Sequence, residues 1–111
     1  FNPKTIRATM GSIFRVPFVY VPELSPVLTQ MHEKGIHTYA AHLKGQKYYD
    51  SFSFREPTAF LIGNEGNGLT KEISDQAGQY LKIPMEGKVE SLNASIAAAL
   101  LMYEAHRQRN L

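Results

Sequence analysis

The chain has 111 residues, which limits it to a single domain with room for a modest buried core. Hydrophobic residues make up 43% and charged residues 20% of the sequence, a composition that excludes a disordered or low-complexity protein. Cysteine is absent, which excludes disulfides and thiol nucleophiles, and the net charge of +2 is too small to indicate nucleic-acid binding by itself.

Localisation and metal binding are constrained by what the sequence lacks. No apolar run approaches membrane-spanning length, and the first residues do not have the layout of a signal peptide, so we expect a cytoplasmic protein without a membrane partner. The histidines have no Cys, Asp or Glu at metal-ligand spacing. We therefore expect no metal site.

The first segment has the chemistry of a helix start. Asn2 is a good cap and Pro3 stands at the first helical position, and apolar residues then recur at helical spacing to about Phe14. The other face of this predicted helix is basic and carries Lys4, Arg7 and Arg15. Two interpretations stay open here, a solvated helix face and a ridge that contacts RNA phosphates.

Strand and helix patterns alternate in the next part of the chain. Residues 16–21 and 36–43 are apolar or β-branched and are predicted to be strands. Between them, Ser25 as a cap followed by Pro26 predicts a helix start, and Gly35 predicts the end of that helix. Strand, helix, strand is the pattern of a parallel α/β sheet flanked by helices.

Residues 44–55 are polar and aromatic and are predicted to be a loop or a marginal edge strand. Their aromatic residues include Tyr48, Tyr49, Phe52 and Phe54. These rings could stack on bases, although packing under a loop is the favoured interpretation.

A glycine-rich loop follows the predicted buried strand 58–62. Gly63 opens it, two further glycines follow, and Glu65 stands in its middle. The spacing fits neither a Walker phosphate loop nor the dinucleotide fingerprint, and Glu65 would repel a bare phosphate. The loop therefore suits a ligand with a cationic or hydrogen-bond-donating face, the alternative being a plain turn with a solvated glutamate. Thr70 then predicts the start of a short helix.

The last third contains a predicted strand at 79–83, a loop, and a long helix from Leu92 to about Gln108. Ser91 is a good cap for that helix, and Asn93 could either cap it or present its amide to a ligand. The helix has more small and apolar positions than one core face uses, which predicts a homodimer.

Three segments resemble the SpoU/TrmH-type RNA ribose 2′-O-methyltransferases of the SPOUT superfamily. They are residues 2–14, the loop 61–69, and residues 82–96 with the alanine-rich helix that follows, and together they span nearly the whole chain. The resemblance implies a parallel α/β sheet whose C-terminal part forms a trefoil knot. It also implies that S-adenosylmethionine binds in the knot and that the partner is structured RNA, either rRNA or tRNA.

The resemblance also implies roles for individual residues. Cofactor contacts fall on the glycine loop, on the end of the last strand and on the loop after it, at Gly63, Ile83, Met85 and Leu92. Glu65 and Asn93 match polar positions of the second and third family motifs, and Ser91 lies beside them. We predict that these three residues are catalytic.

The family's first motif, an asparagine followed by an Arg-Thr pair, is not present in this sequence. Because that motif is missing, the resemblance implies that residues 1–111 are the C-terminal portion of one SPOUT methyltransferase domain. Neither Arg7 nor Arg15 occupies the position of the motif's arginine, so neither is assigned as the catalytic base. The alternative to an enzyme is a non-catalytic RNA-binding or scaffold module that retains the knot.

Overall fold

A computed structural model describes residues 16–41, 47–63, 69–83 and 94–111 of the chain. The elements follow one another as α1 (Ser25–Glu33), β1 (His37–Ala41), a 3-10 turn (Tyr49–Ser51), β2 (Thr58–Leu61), α2 (Lys71–Gln76), β3 (Gln79–Leu81) and α3 (Ala94–Arg109). This alternation confirms the predicted α/β class. The predicted first helix, at residues 2–14, lies outside the described residues.

The three strands form one parallel sheet in the order β2-β1-β3, with β1 in the centre. Ala40 pairs with Leu61 of β2, and Ala41 pairs with Leu81 of β3. All three strands therefore end at the same edge of the sheet, which we call the carboxyl edge. The predicted parallel sheet flanked by helices is confirmed.

Each face of the sheet has its own hydrophobic core, because successive residues of β1 point to opposite sides. On one face the buried residues are Tyr39, Phe54, Leu81 and Leu101, so α3 covers this side. On the other face they are Leu28, Ala40 and Leu61, with side chains of α1 and α2 packed around them. The helices thus flank the sheet on both sides.

Aromatic rings fill the face under α3. The ring of Tyr39 lies 5.1 Å from that of Phe54 and 5.3 Å from that of Phe52, and Phe54 lies 4.9 Å from Phe60, measured between centroids. Such pairs contribute about 0.5–1.5 kcal/mol each beyond the area they bury. Packing beneath a loop, the favoured interpretation of the aromatic segment, is thus confirmed for Phe52 and Phe54. Tyr48 of the same segment remains 48% exposed.

Helix boundaries follow local chemistry with one exception. Gly35 closes α1 with a φ of 77°, a conformation that glycine adopts without strain, and Thr70 caps α2 by accepting a hydrogen bond from the Ile73 amide at 3.2 Å. The prediction that Ser25 caps α1 is wrong. The cap position is Leu24, no side chain caps this end, and Ser25 is already helical.

The predicted strand at residues 16–21 is also wrong. This segment is not a strand, and its side chains are exposed, with Val16 at 64% and Val19 at 80%. A β-branched run becomes a strand when a neighbour supplies the ladder and covers one face. Within the described part of the chain no strand pairs with it, and Pro17 and Pro22 have no N–H to donate.

A polar clamp of Glu104, Arg107 and Gln108 joins the last turns of α3 to residues 52–54. The Gln108 amide accepts from the Phe54 N–H at 2.6 Å and donates to the Phe52 carbonyl at 2.9 Å. It also donates to Glu104 Oε2 at 2.9 Å, and Arg107 donates to both Glu104 oxygens at 2.7 and 2.8 Å. These bonds satisfy two buried polar side chains of the helix.

Candidate cofactor-binding site

Two predicted cofactor residues lie beyond the carboxyl edge of the sheet. Gly63 follows the end of β2 by two residues, and Ile83 follows the end of β3 by two residues. Because β2 and β3 flank β1, the two residues stand on either side of the central strand, about 10 Å apart for two strand spacings. In open α/β sheets, ligands bind in the crevice outside the carboxyl ends of the strands.

The surroundings of these two residues suit an adenosyl group. Both are half-buried, so a ligand at the edge of the sheet can reach them. The Ile83 side chain packs against the hydrophobic cluster under α3 and provides an apolar wall. Backbone donors and acceptors beside an apolar wall are what adenine recognition requires.

An exposed tyrosine and a lysine adjoin this position. Tyr48 forms a parallel β-bridge with Lys82, the residue before Ile83. The Lys82 N–H donates to the Lys47 carbonyl at 2.9 Å, and the Tyr49 N–H donates to the Lys82 carbonyl at 2.8 Å. The Lys82 Nζ lies 5.9 Å from the centre of the Tyr48 ring. An aromatic ring and a cation are therefore held together at the carboxyl edge.

The other predicted site residues lie outside the described residues. They are Lys4, Arg7, Arg15, Glu65, Met85, Ser91, Leu92 and Asn93. Of the predicted site residues, the described part of the chain contains Gly63 and Ile83. Both lie at the carboxyl edge of the sheet.

The clamp at the end of α3 was not predicted from the sequence. In it Arg107 binds Glu104, and Arg109 donates to the Phe54 carbonyl at 2.9 Å. One signal could have found the clamp. Glu104 and Gln108 continue the helical spacing of the buried Ala97 and Leu101, and this places both polar residues on the core face.

Hydrogen bonding holds the pKa of Glu104 at about 2, below its usual range. The first cause is the bond from Arg107 and the second is the bond from Gln108, which together outweigh the opposing effect of burial. Burial raises the pKa of Tyr39, with a smaller contribution from Glu56. Glu104 is therefore a charged structural group and is not poised for proton transfer near neutral pH.

The described residues lack two features, a cluster of metal-binding side chains and a membrane-spanning helix. Among residues 16–41, 47–63, 69–83 and 94–111, there is no group of three or more His, Asp or Glu side chains that could hold a metal ion. Within the same ranges, no helix has the length and apolar character needed to cross a membrane.

Curated relatives match most of the chain. YacO of Bacillus subtilis (strain 168), a protein named as a candidate TrmH family tRNA/rRNA methyltransferase, is 38% identical over 104 residues. A candidate TrmH family methyltransferase of Staphylococcus haemolyticus is also 38% identical over 104 residues. Each match covers 94% of this chain and 42% of the relative, so the chain spans less than half the length of these proteins.

Solved structures of similar fold belong to the same group of enzymes. The crystal structure of an RNA 2′-O ribose methyltransferase superimposes with a TM-score of 0.88 at 34% identity, covering 100% of this chain and 43% of that one. The SpoU methyltransferase AviRb of Streptomyces viridochromogenes, crystallised with S-adenosylmethionine, gives 0.88 at 35% identity, covering 98% and 45%.

A third structure, the TrmH/SpoU tRNA modifying enzyme of A. aeolicus, superimposes with a TM-score of 0.87 at 30% identity and covers 95% of this chain and 54% of that one. The sequence profile of the SpoU rRNA Methylase family matches residues 1–103, nearly the whole sequence. With this match, and with relatives above 30% identity over most of its length, the chain belongs to the SpoU rRNA methylase family.

Proposed function

We propose that this chain is the cofactor-binding part of an S-adenosylmethionine-dependent methyltransferase that modifies a ribose 2′-hydroxyl of rRNA or tRNA. The observation that carries the proposal is the placement of Gly63 and Ile83 on either side of β1 at the carboxyl edge, in a chain of the SpoU family. AviRb, of the same family, binds S-adenosylmethionine in its crystal structure, which supports the choice of cofactor.

The roles follow from the chemistry of the residues. The backbone of Gly63 and Met85 would bind adenine, with Ile83 and Leu92 as the apolar wall of the site. The bound cofactor supplies an electrophilic methyl group. A polar set, Glu65, Ser91 and Asn93, is proposed to orient the ribose hydroxyl, and a basic set, Lys4, Arg7 and Arg15, is proposed to contact RNA phosphates.

Orientation alone does not activate a ribose hydroxyl, which is a poor nucleophile until a positioned group weakens its hold on the proton. Glu65 is a weak candidate for this step, because a glutamate of ordinary pKa, about 4.3, is far from matching such a hydroxyl. The family resemblance assigns the step to the arginine of the first motif. We therefore expect no methyl transfer by residues 1–111 alone and transfer by a version that carries that motif upstream. If the two versions were equally active, a residue of this chain would have to activate the ribose hydroxyl.

The proposed assembly is a cytoplasmic homodimer whose domain closes with a trefoil knot, of which residues 1–111 form the C-terminal portion. The outer face of α3 supports the dimer, because its apolar side chains remain uncovered. Ile96 is 52% exposed, Leu100 is 39% exposed and Tyr103 is 75% exposed, at helical spacing along one face.

Calorimetric titration with S-adenosylhomocysteine, the demethylated product, tests the cofactor role. We expect the wild-type chain to bind and Gly63→Val to lose binding, because a side chain would stand where the backbone must meet the ligand. Gly35→Asn is the matched control, since Gly35 lies before the start of β1, at the opposite edge, and asparagine tolerates its positive φ.

Absence of binding by a wild-type chain with a native circular dichroism spectrum would contradict the proposal. A non-catalytic RNA-binding or scaffold module would then account for the retained family sequence. Equal affinity of wild type and Gly63→Val would remove Gly63 from the site.

A further inference from the structure

We infer that Tyr48 and Lys82 form a contact for single-stranded RNA beside the cofactor site, with a base stacked on the tyrosine ring and a phosphate near the lysine. The inference rests on the proposed function and deepens it, because it names the part of the chain that would hold the substrate next to Ile83.

The exposure of Tyr48 is the first argument. Phe52 and Phe54 of the same segment pack into the core under α3, whereas Tyr48 keeps 48% of its surface exposed. Its neighbour Tyr49 packs against the same core cluster. Tyr48 does not belong to this cluster, and about half of its surface faces solvent. It is available as a platform for a planar ligand.

The backbone holds that platform in place. The bridge between Tyr48 and Lys82 has two hydrogen bonds, of 2.8 and 2.9 Å, and these tie the segment to the end of β3. A preorganised ring loses little conformational freedom when a base stacks on it. The same bridge fixes the register, so that Tyr48 stands beside Lys82 and one residue from Ile83.

The charge near the ring suits RNA. Lys82 Nζ lies 5.9 Å from the ring centre, and Lys47 is exposed immediately before Tyr48. A ring with the Lys82 ammonium beside it pairs a stacking surface with phosphate attraction, the combination that single-stranded nucleic acids require. The acid nearest in sequence, Asp50, interacts electrostatically with Arg107, whose raised pKa is due first to Glu104.

The position relative to the reaction is the last argument. Methyl transfer needs the ribose near the cofactor, and single-stranded segments can splay a base out onto a protein surface. A base stacked on Tyr48 would anchor a nucleotide at the carboxyl edge, one residue along the strand from Ile83 but on the opposite face of the sheet, because Tyr49 and Ile83 both pack under α3. Substrate and cofactor would then meet at the same edge of the sheet.

Fluorescence anisotropy with a short, labelled single-stranded RNA tests the inference. We expect Tyr48→Ala to weaken binding about tenfold to hundredfold, and Tyr48→Phe to bind like wild type, because phenylalanine retains the stacking face. Lys82→Gln should reduce the salt dependence of binding by about 0.7 in the logarithmic slope, the value for one phosphate on a single strand. Lys34→Gln, at the other end of β1, is the matched control and should leave the slope unchanged.

Calorimetry with S-adenosylhomocysteine on the same variants separates this inference from the proposed function. Unchanged cofactor affinity with weakened RNA binding in Tyr48→Ala supports the contact. Equal RNA affinity of wild type and Tyr48→Ala overturns the contact while leaving the proposed function intact. A wild-type chain that binds cofactor but no RNA also overturns the contact, and one that binds neither overturns both.

Discussion

The Gln108 side chain accepts a hydrogen bond from the Phe54 N–H at 2.6 Å, across 54 residues of sequence. Gln108→Leu keeps the apolar stem but leaves the Phe54 N–H and the Phe52 carbonyl without a partner. We expect the free energy of unfolding to fall by about 2–4 kcal/mol, as one buried and one partly buried backbone group lose their bonds. Urea denaturation measures this, and Gln30→Leu, on the exposed side of α1, is the control and should change stability by less than about 0.5 kcal/mol. Equal stability of the two variants would show that the clamp does not stabilise the fold.

Glu104 predicts a specific acid sensitivity. Its pKa is about 2 in the folded chain, below the ordinary value of 4.5, so folding favours the ionised form. The stabilisation is complete above about pH 4.5 and is lost as the pH falls toward 2. We expect Glu104→Gln to be less stable than wild type at pH 7, on the order of 2 kcal/mol. The difference in stability between Glu104→Gln and wild type should shrink as the pH falls from about 4.5 toward 2. Denaturant midpoints of both proteins across the range check this, and a constant difference would contradict it.

Thr38 of β1 links α1 and the turn before β3 through one buried hydroxyl. Its Oγ1 accepts from the Gly78 N–H at 2.8 Å and lies 2.7 Å from His32 Nε2. Thr38→Val keeps the shape but removes both bonds, so we expect a loss of about 1–3 kcal/mol in unfolding free energy. Thr38→Ser keeps the hydroxyl and serves as the control. If the valine variant were more stable than the serine variant, the hydroxyl would not be the stabilising group.

The uncovered face of α3 predicts the oligomeric state. We expect sedimentation to give a dimer for wild type and a monomer for Tyr103→Glu, because a charge placed in an apolar interface is costly to bury. Tyr20→Glu, which changes a tyrosine that is 79% exposed outside α3, should leave the dimer intact. A wild-type monomer at high protein concentration would rule out the proposed interface.

Local chemistry predicted much of the fold. Gly35, Thr70 and the apolar run of β2 act through neighbouring residues in sequence, so their effects on helix ends and strands can be read directly. Residues 16–21 show the limit of this approach. A β-branched run has strand propensity, but a strand also requires a neighbour, and no local signal says whether one is present.

Gln108 shows the same limit for the interior. Helical spacing places Gln108 on the core face of α3, but its partner Phe54 is 54 residues away in sequence, so no local pattern predicts the bond between them. Half of the predicted cofactor set, Gly63 and Ile83, could be placed from strand ends alone, because parallel strands end at one edge. The sequence identifies Tyr48 as one of several rings that could stack on a base. It does not show that Phe52 and Phe54 pack in the core while Tyr48 stays exposed.

The most direct test of the central claim, that the cofactor binds at the carboxyl edge, is a nitrogen-15 correlation spectrum of the labelled chain during titration with S-adenosylhomocysteine. We predict that the amide signals of Gly63 and Ile83 shift with a common saturation curve while that of Gly35, before the start of β1, stays in place. Saturable binding that leaves Gly63 and Ile83 unchanged, or no change in any signal at saturating ligand, would contradict the account.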